Sequence, residues 1–159
     1  MKIKFLSSEG VLPEEQPALA AIQKAFPPEW VGFAGFQLMQ RGAQPLDIDL
    51  LMLTPSRILI VELKNWKGDI TYVDQMWMHG RRTAKSPVHL ANYKCKILAK
   101  LLKQKLSTTL RPKIDPLVVV CHPTSNPLLP DSEMQHVMLL EDFCRLGQDN
   151  AAYLRRFPQ

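Results

Sequence analysis

Short apolar runs alternate along the chain with segments whose apolar residues recur every three or four positions. The first pattern predicts strands, and the second predicts helices with one apolar face. Clusters of proline, glycine and small polar residues set the ends of these segments. The pattern predicts a helix over residues 14–26, strands over 30–39, 46–53, 57–64 and 69–78, a helix over 87–106, a strand over 117–121, a loop over 123–130, a strand over 136–140 and a helix from 141.

The predicted strands make a sheet with helices packed against it. Residues 46–53 and 57–64 form a strand pair across Thr54-Pro55-Ser56, and residues 69–78 are expected to continue the same sheet. The run over residues 117–121 is apolar throughout, as is typical of a strand buried on both faces. The order of helix, strands, helix and strand indicates an α/β fold.

The predicted helix over residues 87–106 has two different faces. Its apolar residues recur at helical spacing and form one stripe, namely Ala91, Cys95, Leu98, Leu102 and Leu106. Lys96, Lys100 and Lys103 fall on another side of the same helix. We therefore expect one face to pack on the sheet and the other to present lysines.

Four charged residues stand in the apolar strand pair, with Asp47 and Asp49 in its first strand and Glu62 and Lys64 in its second. Because alternate residues of a strand point to the same face, each of these pairs is expected to project to one side of the sheet. Buried charges are expected inside a sheet only where they are paired or hold a metal. The four residues therefore mark a candidate site.

Asp49 and Glu62, on neighbouring strands, could supply oxygen ligands to a hard cation such as Mg²⁺ or Mn²⁺. Lys64 would lie beside that ion, where it could orient or deprotonate a water molecule. Asp47 lies about 6–7 Å further along its strand and is treated as an accessory residue. The alternative is an exposed Glu62–Lys64 ion pair at a sheet end, which contributes about 0–1 kcal/mol to stability.

The segment DIDLLMLTPSRILIVELKNWKGDI resembles the nuclease-related domain (NERD) family, a branch of the PD-(D/E)xK nuclease superfamily. It has that family's Asp-bearing strand, short turn, E-x-K strand and Asn-Trp-x-Gly exit. The resemblance implies a restriction-endonuclease-like αβββαβ core, with a central mixed sheet flanked by helices. It also implies that Asp49 and Glu62 bind the metal and that both act with Lys64 in catalysis.

The resemblance extends more weakly over about residues 9–122 and implies one nuclease-like domain, 1–159, whose last residues, 123–159, are a strand and helix extension. Two positions depart from the family pattern. The family's opening Gly-Glu becomes a proline followed by Glu14 and Glu15, so either glutamate could be the accessory ligand, with Glu9 before Gly10 as a third candidate. The family's Gln in the second helix is replaced by Leu90 or displaced to His89.

The net charge is +5, and the positive charge is unevenly distributed because residues 75–114 contain no acidic residue. A basic surface attracts a phosphate backbone through charge and counterion release, without reading bases. The alternative is a solvated helix face that has no ligand. The residues predicted to contact nucleic acid are Lys67, Arg81, Arg82, Lys85, Lys96, Lys100 and Lys103.

Length and composition place further bounds on the protein. A chain of 159 residues that is 46% hydrophobic is long enough for one well-buried core. No apolar stretch approaches the roughly 20 residues that span a bilayer, so no membrane association is expected. The three cysteines contain no C-x-x-C pair, which fits reduced thiols and a cytoplasmic protein.

Two functional hypotheses follow from these features. The first is a Mg²⁺-dependent nuclease that acts on DNA, in repair, processing or defence, with RNA as a weaker alternative substrate. The second is a catalytically impaired nucleic-acid-binding module that works with a helicase, a kinase or another fused or associated domain. The sequence does not define the oligomeric state.

Overall fold

The computed structural model of the protein describes residues 1–7, 9–107 and 109–159. The strands in these ranges are β1 Lys2–Phe5, β2 Val31–Leu38, β3 Leu46–Leu53, β4 Ile58–Lys64, β5 Asp69–Val73, β6 Met76–His79, β7 Arg82–Lys85, β8 Ile114–Val120, β9 Asn126–Leu128 and β10 Val137–Leu139. The helices are α1 Gln16–Ala25, α2 Pro87–Lys105, α3 Asp131–Met134, α4 Leu140–Gln148 and α5 Asn150–Arg156, and a 3₁₀ turn, Pro13–Glu15, precedes α1.

The central sheet has six strands in the order β1-β2-β3-β4-β8-β10. Strands β2, β3 and β4 form an antiparallel meander, whereas β1 is parallel to β2, and β8 is parallel to both β4 and β10. Helices α1, α4 and α5 cover one face, and α2 covers the other. This is the predicted α/β fold with a central mixed sheet flanked by helices. It is consistent with a restriction-endonuclease-like core, which α1, β2, β3, β4, α2 and β8 form in that order.

The segments that form these elements have simple local reasons for doing so. Helix α1 buries Leu19 and Ile22, which lie on one face, and α2 begins where the Ser86 hydroxyl accepts a hydrogen bond from the His89 backbone N–H at 3.3 Å. Proline follows Ser86 at the first helical position, where its missing N–H is not needed. None of the helices in the described ranges is long and apolar enough to span a membrane.

The prediction that residues 69–78 continue the central sheet is wrong. Asp74 and Gln75 both have positive φ, 49° and 64°, so the chain turns back and forms a tight hairpin between β5 and β6. The hairpin belongs to a second sheet with the order β7-β6-β5-β9. That sheet buries Trp77, whose indole N–H donates to the buried Glu133 carboxylate at 3.0 Å.

Four further differences from the sequence prediction concern strands, the first being that strand β7 was not predicted. The N-terminal strand β1 was not predicted, and β9 lies within the stretch that was predicted to be a loop. Strand β8 also begins before Pro116, a residue that normally argues against a central strand. Proline is tolerated there because β10 pairs with β8 only from Val118 onward, which leaves Pro116 at a locally open edge.

Two glycines allow the N-terminal loop to cross β2 in close contact. Gly35 has φ of +65°, and a Cβ built on Gly10 would lie only 2.1 Å from the Gly35 carbonyl oxygen. A Cβ on Gly35 would lie 2.6 Å from Cγ2 of Val11. The crossing leads directly into the 3₁₀ turn that carries Glu15, so these glycines position that residue.

Replacing Gly35 by alanine is expected to lower the free energy of unfolding by about 1–3 kcal/mol, because it adds a left-handed strain and an overpacked contact. Urea denaturation measures the effect. Gly42→Ala is the matched control, since Gly42 also has positive φ but a Cβ added there would meet no atom within 4 Å. A Gly35→Ala variant no less stable than Gly42→Ala would contradict the close crossing.

Candidate active site at the end of the central sheet

The candidate site lies where the ladder between β3 and β4 ends. The antiparallel pairing runs from Leu53 with Ile58 to Leu50 with Val61, and the next step of this register falls on Asp49 and Glu62. At that step Asp49 Oδ2 accepts a hydrogen bond from the Leu63 backbone N–H at 2.8 Å. The bond fixes the Asp49 carboxylate beside the strand that carries Glu62.

Glu62 is buried, with only 2% of its surface exposed, and contacts two ammonium groups. Lys94 of α2 donates a short hydrogen bond to Oε1, and Lys64 Nζ lies 3.8 Å from Oε2. Burial and the Asp49 charge raise the pKa of Glu62, and both lysines oppose that rise. The Glu62–Lys64 ion pair of the alternative interpretation is thus present, but its carboxylate is inside the protein, so it is not an exposed pair.

Lys94 is the site residue that the sequence pattern did not reveal. A lysine in an amphipathic helix is normally assigned to the solvent side, yet Lys94 is only 4% exposed. The available signal was its spacing, because Lys94 lies three residues after Ala91 and four before Leu98, on the apolar stripe. His89 and Leu90, the candidates for the family's Gln, are both exposed and lie near the start of α2.

Glu15 is the first-helix glutamate that lies near the other site residues. It is only 8% exposed, and burial together with the Asp49 charge raises its pKa from 4.5 to about 7. The Leu12 backbone N–H and Lys64 oppose this rise. Glu14, by contrast, is exposed.

Two other acidic candidates lie away from this arrangement. Glu9 is exposed, and its backbone N–H donates to the Ser7 hydroxyl. Asp47 is exposed and accepts a hydrogen bond from the Gln37 side chain at 2.8 Å. The regular alternation of β3 slips between Ile48 and Leu51, because both of these residues lie on the α2 side of the sheet.

The raised pKa of Glu15 predicts a specific pH dependence of stability. Its pKa is about 7 in the folded protein against an ordinary value of 4.5, so the folded state binds more protons between these values. Stability therefore falls as pH rises through this window. In EDTA at pH 8, Glu15→Gln is expected to be about 1–3 kcal/mol more stable than the wild type, with little difference at pH 4.

Urea denaturation at the two pH values checks this expectation. Glu14→Gln is the matched control, because Glu14 is adjacent in sequence to Glu15 but has an exposed carboxylate. A Glu15→Gln variant that is equally or less stable at pH 8 would show that this carboxylate is not held in an unfavourable charged state.

The donor set fits a hard divalent cation held mainly by solvent and substrate. Mg²⁺ typically uses one or two protein carboxylates and keeps several waters. Asp49 and Glu62 offer two carboxylates. Their negative charges repel each other, which contributes to the raised pKa of Glu62, and a bound cation would reduce that repulsion. Among the residues that the structure describes, no group of three or more His, Cys, Asp or Glu is arranged to hold a metal.

The end of β8 closes the site on one side. The Cys121 backbone N–H donates to the Lys64 carbonyl at 2.9 Å, which extends the β4–β8 pairing past the catalytic candidate. Burial raises the pKa of the Cys121 thiol to about 12, so it is protonated at neutral pH and is a poor nucleophile. Cys121 thus supports Lys64 through its backbone.

Trp66 follows Lys64 and packs beside the site. Its ring stacks on His79 with 4.0 Å between centroids and 6° between planes, and it meets Trp77 edge-on. Lys64 Nζ lies 5.9 Å from the centre of the Trp66 ring. The indole therefore joins β4 to the second sheet and limits where the Lys64 side chain can go.

The residues predicted to contact nucleic acid occupy three places in the fold, and all are exposed. Lys67 lies in the segment after β4. Three residues belong to the edge of the second sheet, in β7 or in the turn before it, namely Arg81, Arg82 and Lys85. The other three lie on the outer face of α2, namely Lys96, Lys100 and Lys103.

Comparisons with known proteins give one family match and one relative. The family model described as "Nuclease-related domain" (NERD) matches residues 12–121. A protein of Streptomyces coelicolor named "Probable kinase PglW" is 33% identical over 104 residues, which cover 61% of this chain and 7% of that protein. The chain thus corresponds to a small part of that relative's length. No solved structure matches significantly.

Proposed function

Because the chain belongs to the nuclease-related domain family, we propose that it is a metal-dependent nuclease that hydrolyses phosphodiester bonds in DNA. The observation that carries this proposal is the buried Glu62 carboxylate, which lies 3.8 Å from Lys64 Nζ and one register step from Asp49, where the β3–β4 ladder ends. A buried carboxylate of raised pKa beside a reachable lysine is the kind of arrangement found at functional sites.

The proposed division of labour assigns one role to each residue. Asp49 and Glu62 would hold Mg²⁺, or Mn²⁺ in its place, and Glu15 would be an accessory carboxylate beside them. The bound ion supplies Lewis acidity, which polarises a phosphate oxygen and lowers the pKa of a water molecule. Lys64 has a side chain that is 25% exposed, so its ammonium group can contact the attacking water or the phosphate oxygen.

The basic residues of α2 and β7 are proposed to hold the phosphate backbone. Replacing Lys96, Lys100 and Lys103 together by glutamine is expected to weaken binding to duplex DNA and to reduce the salt dependence of binding. Three lost phosphate contacts lower the slope of log K against log salt by about 2–3. Fluorescence anisotropy at several salt concentrations measures this slope, and an unchanged slope would remove α2 from the proposed surface.

A second candidate function is a DNA-binding module without turnover. The observation that favours it is that ammonium groups face both oxygens of Glu62, with Lys94 at Oε1 and Lys64 near Oε2. The matched relative, a probable kinase, is far longer than this chain, which supports a proposal that such a domain works joined to or associated with other domains. For this second candidate function we propose a kinase or helicase as the joined or associated partner.

The test of the proposed function is cleavage of labelled single-stranded, double-stranded and branched DNA, with an RNA of the same sequence alongside. Each substrate is incubated with Mg²⁺, Mn²⁺ or EDTA. The nuclease proposal predicts metal-dependent DNA products, and the preferred substrate then indicates the type of pathway. Salt-sensitive binding without any product would support the accessory module instead.

A further inference from the structure

Lys94 is a buried lysine placed where packing alone favours an apolar side chain. It projects from α2 on the face that also carries Cys95 and Leu98, which pack against Ile60 of β4. Its own surface is only 4% exposed, and its ammonium group bonds to Oε1 of Glu62. An ion pair in such a position is weak evidence for stability, because desolvating both charges offsets most of their attraction.

The charges around Lys94 show what the ammonium group does there. The nearby carboxylates belong to Glu62 and Asp49, with Glu15 close to Asp49, and Lys64 is the other ammonium group. Three carboxylates against two ammonium groups leave the cluster with at most one excess negative charge. Without the Lys94 ammonium group, the net charge of the same cluster would be more negative by one, and the uncompensated charge would be buried around Glu62.

We propose that Lys94 acts as a built-in cation on Glu62, competing with a divalent metal ion for this carboxylate and so limiting how tightly the ion is held. The inference rests on the proposed function, because it takes Glu62 as a metal ligand. Lys94 is then a positioning residue: it keeps Glu62 in place when no ion is bound and leaves Oε2 as the oxygen directed toward Lys64.

The inference predicts that removing the Lys94 charge tightens metal binding. Mn²⁺ affinity is measured by calorimetry for the wild type and for Lys94→Gln and Lys94→Met. Both variants are expected to bind Mn²⁺ about ten-fold or more tightly, since a neighbouring opposite charge changes such equilibria by one or more powers of ten. Lys94→Arg keeps the charge and is expected to bind Mn²⁺ like the wild type.

A second readout covers the case in which a neutral variant folds poorly. The proposal predicts that millimolar Mn²⁺ raises the thermal midpoint of Lys94→Gln and Lys94→Met more than that of the wild type, because the ion replaces the missing charge. Lys105→Met is the matched control, since Lys105 lies exposed in the last turn of α2. Its response to Mn²⁺ is expected to equal that of the wild type.

The opposite results would overturn the inference. Mn²⁺ affinity that is unchanged or lower in both neutral variants, or variants that stay unfolded in Mn²⁺, would show that Lys94 does not compete with an ion. DNA cleavage is measured on the same samples. If the wild type does not cleave DNA but the neutral variants bind Mn²⁺ more tightly, the nuclease function alone is refuted. If the wild type cleaves DNA but the neutral variants bind Mn²⁺ no more tightly than it does, the role of Lys94 alone is refuted.

Discussion

Replacing Lys64 by methionine is expected to lower the rate of DNA cleavage by about 10²- to 10⁴-fold, the usual contribution of a positioned proton-transfer group. Methionine keeps most of the side-chain length but has no charge and no proton to exchange. The partly exposed Lys64 side chain should be replaceable without unfolding the protein. Single-turnover cleavage of a labelled duplex at saturating protein measures this rate.

The control for Lys64→Met is Lys105→Met, which removes an exposed lysine from the end of α2. Both variants lose one positive charge, so a difference between them reports the position of Lys64 rather than the net charge. Equal cleavage rates for the two variants would mean that Lys64 does not take part in the reaction.

The second large effect is expected on stability. In EDTA at pH 8, Lys94→Met is expected to lower the free energy of unfolding by about 3–5 kcal/mol, because it leaves the buried Glu62 carboxylate without its closest counter-charge. The double variant Glu62→Gln/Lys94→Met removes both charges, and it should recover most of that loss. Urea denaturation of the wild type and the variants measures these differences.

The double variant is the critical comparison in this series. If it is as unstable as Lys94→Met alone, the loss comes from packing of the lysine stem, and the ion pair is not the cause. If Lys94→Met is as stable as the wild type, Glu62 is not held as a buried charge.

The catalytic candidates could be predicted from the sequence because they follow a strict local rule. Glu62 and Lys64 are two residues apart in an apolar strand, and the preceding strand places Asp49 across a short turn. That rule depends only on the alternation of a strand and on the resemblance to the nuclease family. Asp47, which the same rule made an accessory candidate, is exposed and bonds to the Gln37 side chain instead.

The remaining site residues depend on tertiary contacts that the pattern does not encode. Glu14 and Glu15 are adjacent, and the crossing at Gly10 and Gly35 brings the chain to the 3₁₀ turn in which Glu15 is the buried one. Lys94 has the spacing of a core residue but the chemistry of a surface residue, so composition assigns it to solvent. Only the packing of α2 on β4 shows that it reaches Glu62.

The second sheet was missed for a different reason. The β5–β6 hairpin uses a two-residue turn with positive φ at Asp74 and Gln75, whereas such turns usually contain Asn-Gly or Asp-Gly. Without glycine, the stretch from residue 69 to 78 has the pattern of one continuous strand. The next strand of this sheet, β7, begins at Arg82, one of the exposed basic residues.

The central claim is that Asp49, Glu62 and Lys64 form a metal-dependent nuclease centre. The most direct test compares, on the preferred DNA substrate, cleavage by the wild type in Mg²⁺, by the wild type in EDTA and by Glu62→Gln in Mg²⁺. We expect products only for the wild type in Mg²⁺. Equal cleavage by Glu62→Gln, or full cleavage in EDTA, would contradict the claim.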